Sequence, residues 1–412
     1  MRAGDGTLEQ RTLVLVTLGA VAFGLVMVFS ATSATAALGD GNPMAYLERQ
    51  SVYALLGLAL MATASWLDYR RLRVLALPFV LVALALCAAV LVVGPEINGA
   101  RRWFLLGPAS FQPSELAKLA LIVFVAASLA RRRPPQTLGE LMRPIGALTA
   151  AFAALVLLEP DLGTTVALCG AVLAILLVAG TPLRVLGLAS LLAGLAGAAA
   201  IWAEPYRRAR FLAFLDPWQD AQGAGFQIVQ ATIGIGSGGI TGTGLGEGVQ
   251  KVLYLPEAHT DMIFAVVGEE LGLVGSTLVV GAFVAFGLAG FRIALRCRDP
   301  FGKLLAAGIT ALVCGQAALN LAAVLGLAPL TGIPLPFVSY GGSSLVVFLA
   351  AVGILLNIAS NGTVAQARVR HRGGGDGRAR AARARGRGGA PRARGDGELR
   401  RVGGARRVGA RA

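Results

Sequence analysis

The chain has 412 residues, 56% of them hydrophobic and only 14% charged, and a mean hydropathy of +0.70. Soluble domains average roughly 45–50% apolar and about 25% charged residues, so a water-soluble globule is excluded, as is disorder over most of the length. The formal net charge of +15 is unevenly placed: residues 361–412 hold 15 arginines against Asp376, Asp396 and Glu398, which leaves the remainder nearly neutral.

A bilayer crossing takes about 20 mainly apolar residues. Ten segments qualify in chain order: 12–30, 51–67, 74–93, 116–130, 145–158, 164–180, 185–203, 262–291, 304–325 and 344–360. Ala34, Thr35 and Ala36 after the first resemble a leader cleavage site. Its apolar stretch exceeds the usual leader core of about 7–15 residues, however, so an uncleaved span is expected. The expected fold class is an all-α integral membrane protein. Residues 1–11 would be a cytoplasmic N-terminus, 12–360 a ten-span membrane domain, and 361–412 a disordered cytoplasmic tail. Cys87, Cys169, Cys297 and Cys314 show no CxxC spacing and read as packing residues.

Orientation follows from Arg and Lys in the short loops. Arg70, Arg71 and Arg73 follow span two, Arg131, Arg132, Arg133 and Arg143 span four, Arg184 span six, and Arg292, Arg296, Arg298 and Lys303 span eight. With Arg2 and Arg11 they put both termini in the cytoplasm and the odd-numbered loops outside. Arg101, Arg102, Arg207, Arg208, Arg210 and Lys251 then stand on the external side, where a ligand is one explanation and the tolerance of long loops another.

The loop between spans seven and eight, residues 204–261, is the longest, and such loops are usually functional or carry their own structure. It contains a formal GxGxxG at Gly234, Gly236 and Gly239, but without the strand–helix setting of a dinucleotide site. Tight turning near the membrane is the plainer reading, with exposed amides a possible phosphate cradle. The tail lacks Phe, Trp and Tyr, so a solvated segment or lipid contact outranks nucleic acid, and no nucleic-acid partner is expected.

Three groups of polar residues stand at membrane boundaries, where ionisable side chains default to functional hypotheses. Asp261 enters span eight, either as a site carboxylate or as an acid favoured by the helix dipole. Glu270 lies about 180° around a straight helix from it, and reads as a buried structural partner. His259 reads as a positioning group rather than a metal ligand. Next, Arg102 and Trp103 precede Glu115 and Lys118, which share a helix face and permit an ion pair lining a cavity; the alternative is a capped helix start at Ser114. Finally, Pro334 and Pro336 break the chain before Ser339, Tyr340 and Ser343, whose hydroxyls would face a wet cavity unless the segment is a simple turn. No P-loop, HExxH or GxSxG is present.

Together these stretches resemble the SEDS family (shape, elongation, division and sporulation), the FtsW/RodA type. The resemblance is carried by residues 99–104, 113–118, 159–164, 214–227, 250–275, Asn320 and 331–344, in the family's order. Ala258 within Leu255–Asp261 makes the chain more similar to the division and sporulation branch than to RodA. Met262, Ile333 and Pro334 depart mildly from the pattern. The resemblance implies a peptidoglycan glycosyltransferase that polymerises lipid II into glycan strands at the outer face of the cytoplasmic membrane during cell division. It implies a class B penicillin-binding protein and other division-machinery membrane proteins as partners. By that analogy Asp261 would be the general base. Arg102, Trp103, Glu115, Lys118, Arg207, Arg208, Lys251, His259, Ser339, Tyr340 and Ser343 would surround the substrate, with Mg or Mn as a conceivable cofactor. A lipid II flippase, an elongation polymerase of the RodA kind and a noncatalytic scaffold are the alternatives.

Overall fold

A computed structural model describes residues 8–37, 43–97, 99–107, 109–252 and 255–361. The chain divides into two units, Met1–Thr363 and Val364–Ala412, and only the first contains described residues. The expected tail therefore lies outside them, from residue 362 onward, as do the first seven residues.

Lipid offers the backbone no hydrogen bonds, so apolar segments of sufficient length close their own as helices. In order these are α1 (Leu8–Ala37), α2 (Pro43–Trp66), α3 (Arg70–Val93), α4 (Pro113–Leu129), the short α5 (Leu138–Leu141) continuing through a π-turn into α6 (Ala147–Leu158), α7 (Leu162–Ala179), and α8 (Leu183–Ala203). After two shorter helices, α9 (Pro205–Leu215) and α10 (Phe226–Gly238), come α11 (Ile263–Arg296), α12 (Pro300–Val324) and α13 (Gly342–Asn361). Eight of the described helices are long and apolar enough to cross a membrane. The two other expected spans are α2, which carries Glu48 and Arg49 near its start, and α4, which has 17 residues.

α4, α12 and α13 form the interior, whereas α3 and α8 lie outside with Leu75, Leu77 and Leu81, and Leu188, Leu191 and Leu195, exposed. Exposed leucine is unremarkable here, because a lipid-facing surface costs nothing to leave apolar. Where helices touch, small residues bring the backbones together: a methyl added to Gly290 of α11 would stand 2.2 Å from Thr310 Oγ1 of α12. The four cysteines are free.

The long segment before α11 is not an unstructured loop. α10 takes in Gly234 and Gly236, so the expected tight turn there is a helix, and the amides of the alternative phosphate cradle are used by it. Beyond Gly238 the chain runs against α11, which is interrupted at Gly272 (φ 63°, ψ −155°). There Glu269 and Glu270 carbonyls accept from Thr243 N (3.0 Å) and Gly244 N (3.1 Å). Leu273 N and Val274 N donate to Gly239 O (3.0 Å) and Ile240 O (3.1 Å) in return. The interruption thus leaves these four backbone groups paired, as burial requires. A second departure is a hairpin after α3, β1 (Phe104–Leu106) with β2 (Ala109–Phe111), pairing Phe104 with Phe111 and feeding directly into Pro113 of α4.

Candidate active site

The segments after α3, α6, α8 and α12 meet at one end of the bundle, and Asp261 lies among them in the turn that precedes α11. It is half-buried. Its main-chain carbonyl accepts from Asn320 Nδ2 of α12 at 2.7 Å. Thr260 Oγ1 stands 3.3 Å from carboxylate Oδ1 and 3.0 Å from Glu257 Oε2. Carboxylate Oδ2 faces Gly332, where an added Cβ would be 3.9 Å away. Burial and the neighbouring Glu257 push the carboxyl up to about 6, against the pull of Arg210, its own backbone amide and Thr260. Such a group is ionised at neutral pH yet basic enough to take a proton.

His259 is held by rings. It lies 5.0 Å from Tyr46 and 5.5 Å from Tyr340, centroid to centroid, and Tyr46 is 5.4 Å from Tyr340. Its carbonyl accepts from Tyr340 N at 2.9 Å, and burial lowers its pKa, keeping the imidazole neutral. The Tyr340 hydroxyl bonds to Arg49, and burial raises its pKa.

Several expected site residues are brought elsewhere. Glu115 and Lys118 pair at 2.9 Å as expected, but both are buried in the bundle, with Lys118 Nζ donating to Gln316 Oε1 at 2.6 Å and lying over the Phe348 ring. Lys251 is likewise buried, on Glu270 Oε1 (2.6 Å) and Ser30 Oγ (3.1 Å). Ser339 Oγ accepts from Leu335 N, and Ser343 Oγ accepts from Gln112 N and donates to Ser110 O, so their hydroxyls are spent on backbone rather than offered to a cavity. These placements share one reason: a polar group in an apolar bundle that finds an internal partner does not need water.

The arginines divide by function. Arg102 Nε donates to Glu159 O (2.5 Å) and its Nη2 to Pro160 O (2.8 Å), and Arg207 Nη2 donates to Leu157 O (2.7 Å). Both brace the turn between α6 and α7, with Trp103 half-buried beside Arg102 in the chain. Arg208 is exposed, and Arg210, stacked over Tyr206 at 4.8 Å, is the one that acts on Asp261. In the same turn Glu159 is fully buried with neither carboxyl oxygen hydrogen-bonded, and burial together with Asp161 pushes it up to about 8 against the pull of Arg102. Asp161 is occupied as the N-cap of α7, accepting from Thr164 N and Thr164 Oγ1, both at 2.8 Å.

Glu257 and Gln316 were not among the residues singled out from sequence, Arg210 was noted only among the external basic residues, and Asn320 only as part of a pattern. The available signal was their type: an amide inside an apolar span stands out by cost. Among the described residues no group of three or more His, Cys, Asp or Glu could hold a metal.

Residues 10–363 match the family model FTSW_RODA_SPOVE, described as a cell cycle protein. The chain belongs to this family. Among family members, a probable peptidoglycan glycosyltransferase FtsW of Geobacter metallireducens is 43% identical over 84% of this chain and 94% of its own. Stage V sporulation protein E of Bacillus subtilis is 38% identical, covering 84% and 96%. In the solved structures, a chain of a peptidoglycan synthase complex, described as coordinating polymerization and crosslinking, superposes with a TM-score of 0.73 at 37% identity, over 88% of this chain and 99% of that one. The rod shape determining protein RodA of Thermus thermophilus gives 0.64 at 34% identity, over 85% and 96%.

Proposed function

We propose that this protein is a peptidoglycan glycosyltransferase that polymerises lipid II, and that Asp261 is its general base. The observation that carries the reading is the Asp261 carboxylate, held half-buried against Gly332 with its pKa pushed up to about 6 and Arg210 acting on it. Asp261 takes the proton of the acceptor sugar hydroxyl as that oxygen bonds to the donor's anomeric carbon. The bond from that carbon to the lipid diphosphate breaks with inversion, and the diphosphate leaves with the electron pair. Arg210, which acts on Asp261, would meet its charge. A divalent cation, if used, would rest on Asp261 and Glu257 with diphosphate oxygens completing its shell, since such ions commonly take one or two carboxylates plus substrate phosphates.

In this reading α2 and α4 count as spans, giving ten, with both termini cytoplasmic and the site open to the outer face of the cytoplasmic membrane, as the basic even-numbered loops support. The FtsW names of the relatives and Ala258 favour a role in division, with a class B penicillin-binding protein and other division-machinery membrane proteins as partners.

The test is polymerisation of labelled lipid II by the purified protein with its cognate penicillin-binding protein, whose crosslinking is blocked by a β-lactam. General-base catalysis is worth about 10²–10⁴ in rate, so Asp261→Asn is expected to lose at least about a hundredfold. Wild-type activity is expected to rise with pH through about 6, as Asp261 ionises. Normal polymer from Asp261→Asn would remove the base assignment. No polymer from wild type, with lipid translocation retained, would establish the flippase instead.

A further inference from the structure

Gln316 and Asn320 are buried in α12 four residues apart, hence on one face of the helix. Both reach away from their own helix. Asn320 Nδ2 donates to Ile333 O at 2.8 Å and to Asp261 O at 2.7 Å. Gln316 Nε2 donates to Pro334 O at 3.0 Å, while its Oε1 accepts from Lys118 Nζ at 2.6 Å. The Ile333 and Pro334 carbonyls belong to a non-helical stretch inside an apolar bundle, where a carbonyl without a partner is costly. Two amides one turn apart therefore join three pieces of chain: the Glu115–Lys118 pair of α4, residues 333 and 334, and the turn that bears Asp261.

Packing does not account for Asn320. Its Oδ1 is buried without a hydrogen bond, a defect that a leucine of similar branching would remove. What a leucine could not do is hold Asp261 and Ile333 together. Gly332, against which the Asp261 carboxylate lies, immediately precedes Ile333, so one amide fixes both sides of that contact.

We propose that Asn320 is a positioning residue for Asp261, and that Gln316 ties the same segment to the buried Glu115–Lys118 pair, which supports the acid from behind instead of binding substrate. The inference rests on Asp261 being the general base. A displacement of about 1 Å at a reacting group can cost about a hundredfold in rate. Loss of the support is expected in kcat, with substrate binding left intact.

The experiment uses the full chain with its β-lactam-blocked partner and labelled lipid II, comparing wild type, Asp261→Asn, Asn320→Leu and Gln316→Leu. Asn320→Leu is expected to fold, to lose about ten- to a hundredfold in kcat with KM within about twofold, and to move the acid midpoint of the pH profile. That midpoint is set by Asp261 with Glu257, Arg210 and Thr260 around it. Gln316→Leu is expected to show the same pattern more weakly. If Asn320→Leu does not accumulate, Asn320→Ala removes both donors in a smaller side chain and is read the same way. Wild-type kcat and an unmoved midpoint in the Asn320 variant, with Asp261→Asn inactive, would overturn this inference alone. A loss confined to KM would overturn it too, by making Asn320 a substrate contact. Activity in Asp261→Asn, or an inactive wild type, would overturn the general-base reading and this inference with it.

Discussion

Asp261 and Glu159 are both carboxyls raised chiefly by burial, to about 6 and about 8, and the difference lies in what opposes the burial. Asp261 has Arg210, its backbone amide and Thr260 favouring the charged form, whereas Glu159 has only Arg102, whose hydrogen bonds go to carbonyls. At neutral pH one is therefore charged and the other protonated. This has a consequence for folding. Below about pH 4 Glu159 is protonated in folded and unfolded chains alike; between about 4 and about 8 only the unfolded chain has released its proton, so rising pH favours unfolding, and above about 8 the dependence ends. Glu159→Gln has no proton to lose. Its thermal midpoint in detergent is expected to exceed that of wild type at pH 7.5, with the gap closing toward pH 4. A Gln variant less stable than wild type at every pH from 5 to 8 would show instead an ionised carboxylate paired with Arg102.

At the scale of elements, α11 contrasts a glycine that is required with one that is not. Gly272 has a backbone conformation open essentially to glycine alone, and an added Cβ would stand 2.4 Å from Gly242 N and 2.6 Å from Ile240 O. Gly281, farther along α11, has nothing within 4 Å of such a Cβ. Gly272→Ala is expected to destabilise by about 1–3 kcal/mol or more, and Gly281→Ala to be neutral or stabilising by up to about 1 kcal/mol. Thermal unfolding of the pair checks this, and equal effects would mean that α11 is not stitched to residues 239–244. The break also marks a limit of the sequence. The helix positions were legible, because apolar length is imposed by lipid and needs no partner: the stretch expected at 74–93 is α3, and that at 185–203 is α8. The β1–β2 hairpin, α9, α10 and the break at Gly272 were not legible, because each is short or depends on a segment remote in sequence. The site divides the same way. Asp261 announced itself as a carboxylate at a boundary, while Arg210, Glu257 and Asn320 acquire meaning only through what the fold places beside them.

For the molecule as a whole, the polar residues inside the bundle act as fasteners between pieces that lipid would otherwise let slide. Apolar helix faces gain little by meeting one another in a medium equally apolar, so close packing and polar contacts must specify the assembly. Lys251 shows this between segments remote in sequence. It joins the segment before α11 to Glu270 of α11, and Ser30 of α1 donates to both oxygens of that carboxylate, at 2.8 and 2.7 Å. Glu269 beside it accepts from Val249 N and Gln250 N, so two neighbouring acids secure the stretch leading to Asp261. Sequence could not supply this grouping, since Ser30 and Glu270 are 240 residues apart. It did mark Glu270 as a buried partner, without naming Lys251 as its counterion. Both side chains of the pair are at most 2% exposed. Removing one partner of such a pair leaves an uncompensated charge at a cost of about 3–5 kcal/mol, whereas replacing both by apolar groups is often tolerated. Lys251→Met is therefore expected to lower the thermal midpoint sharply, and Lys251→Met combined with Glu270→Leu to recover much of the loss. Recovered stability without recovered polymerisation would show that the pair sets the position of the chain entering Asp261. A double variant no more stable than Lys251→Met would show that Glu270 holds α1 through Ser30 irrespective of the lysine.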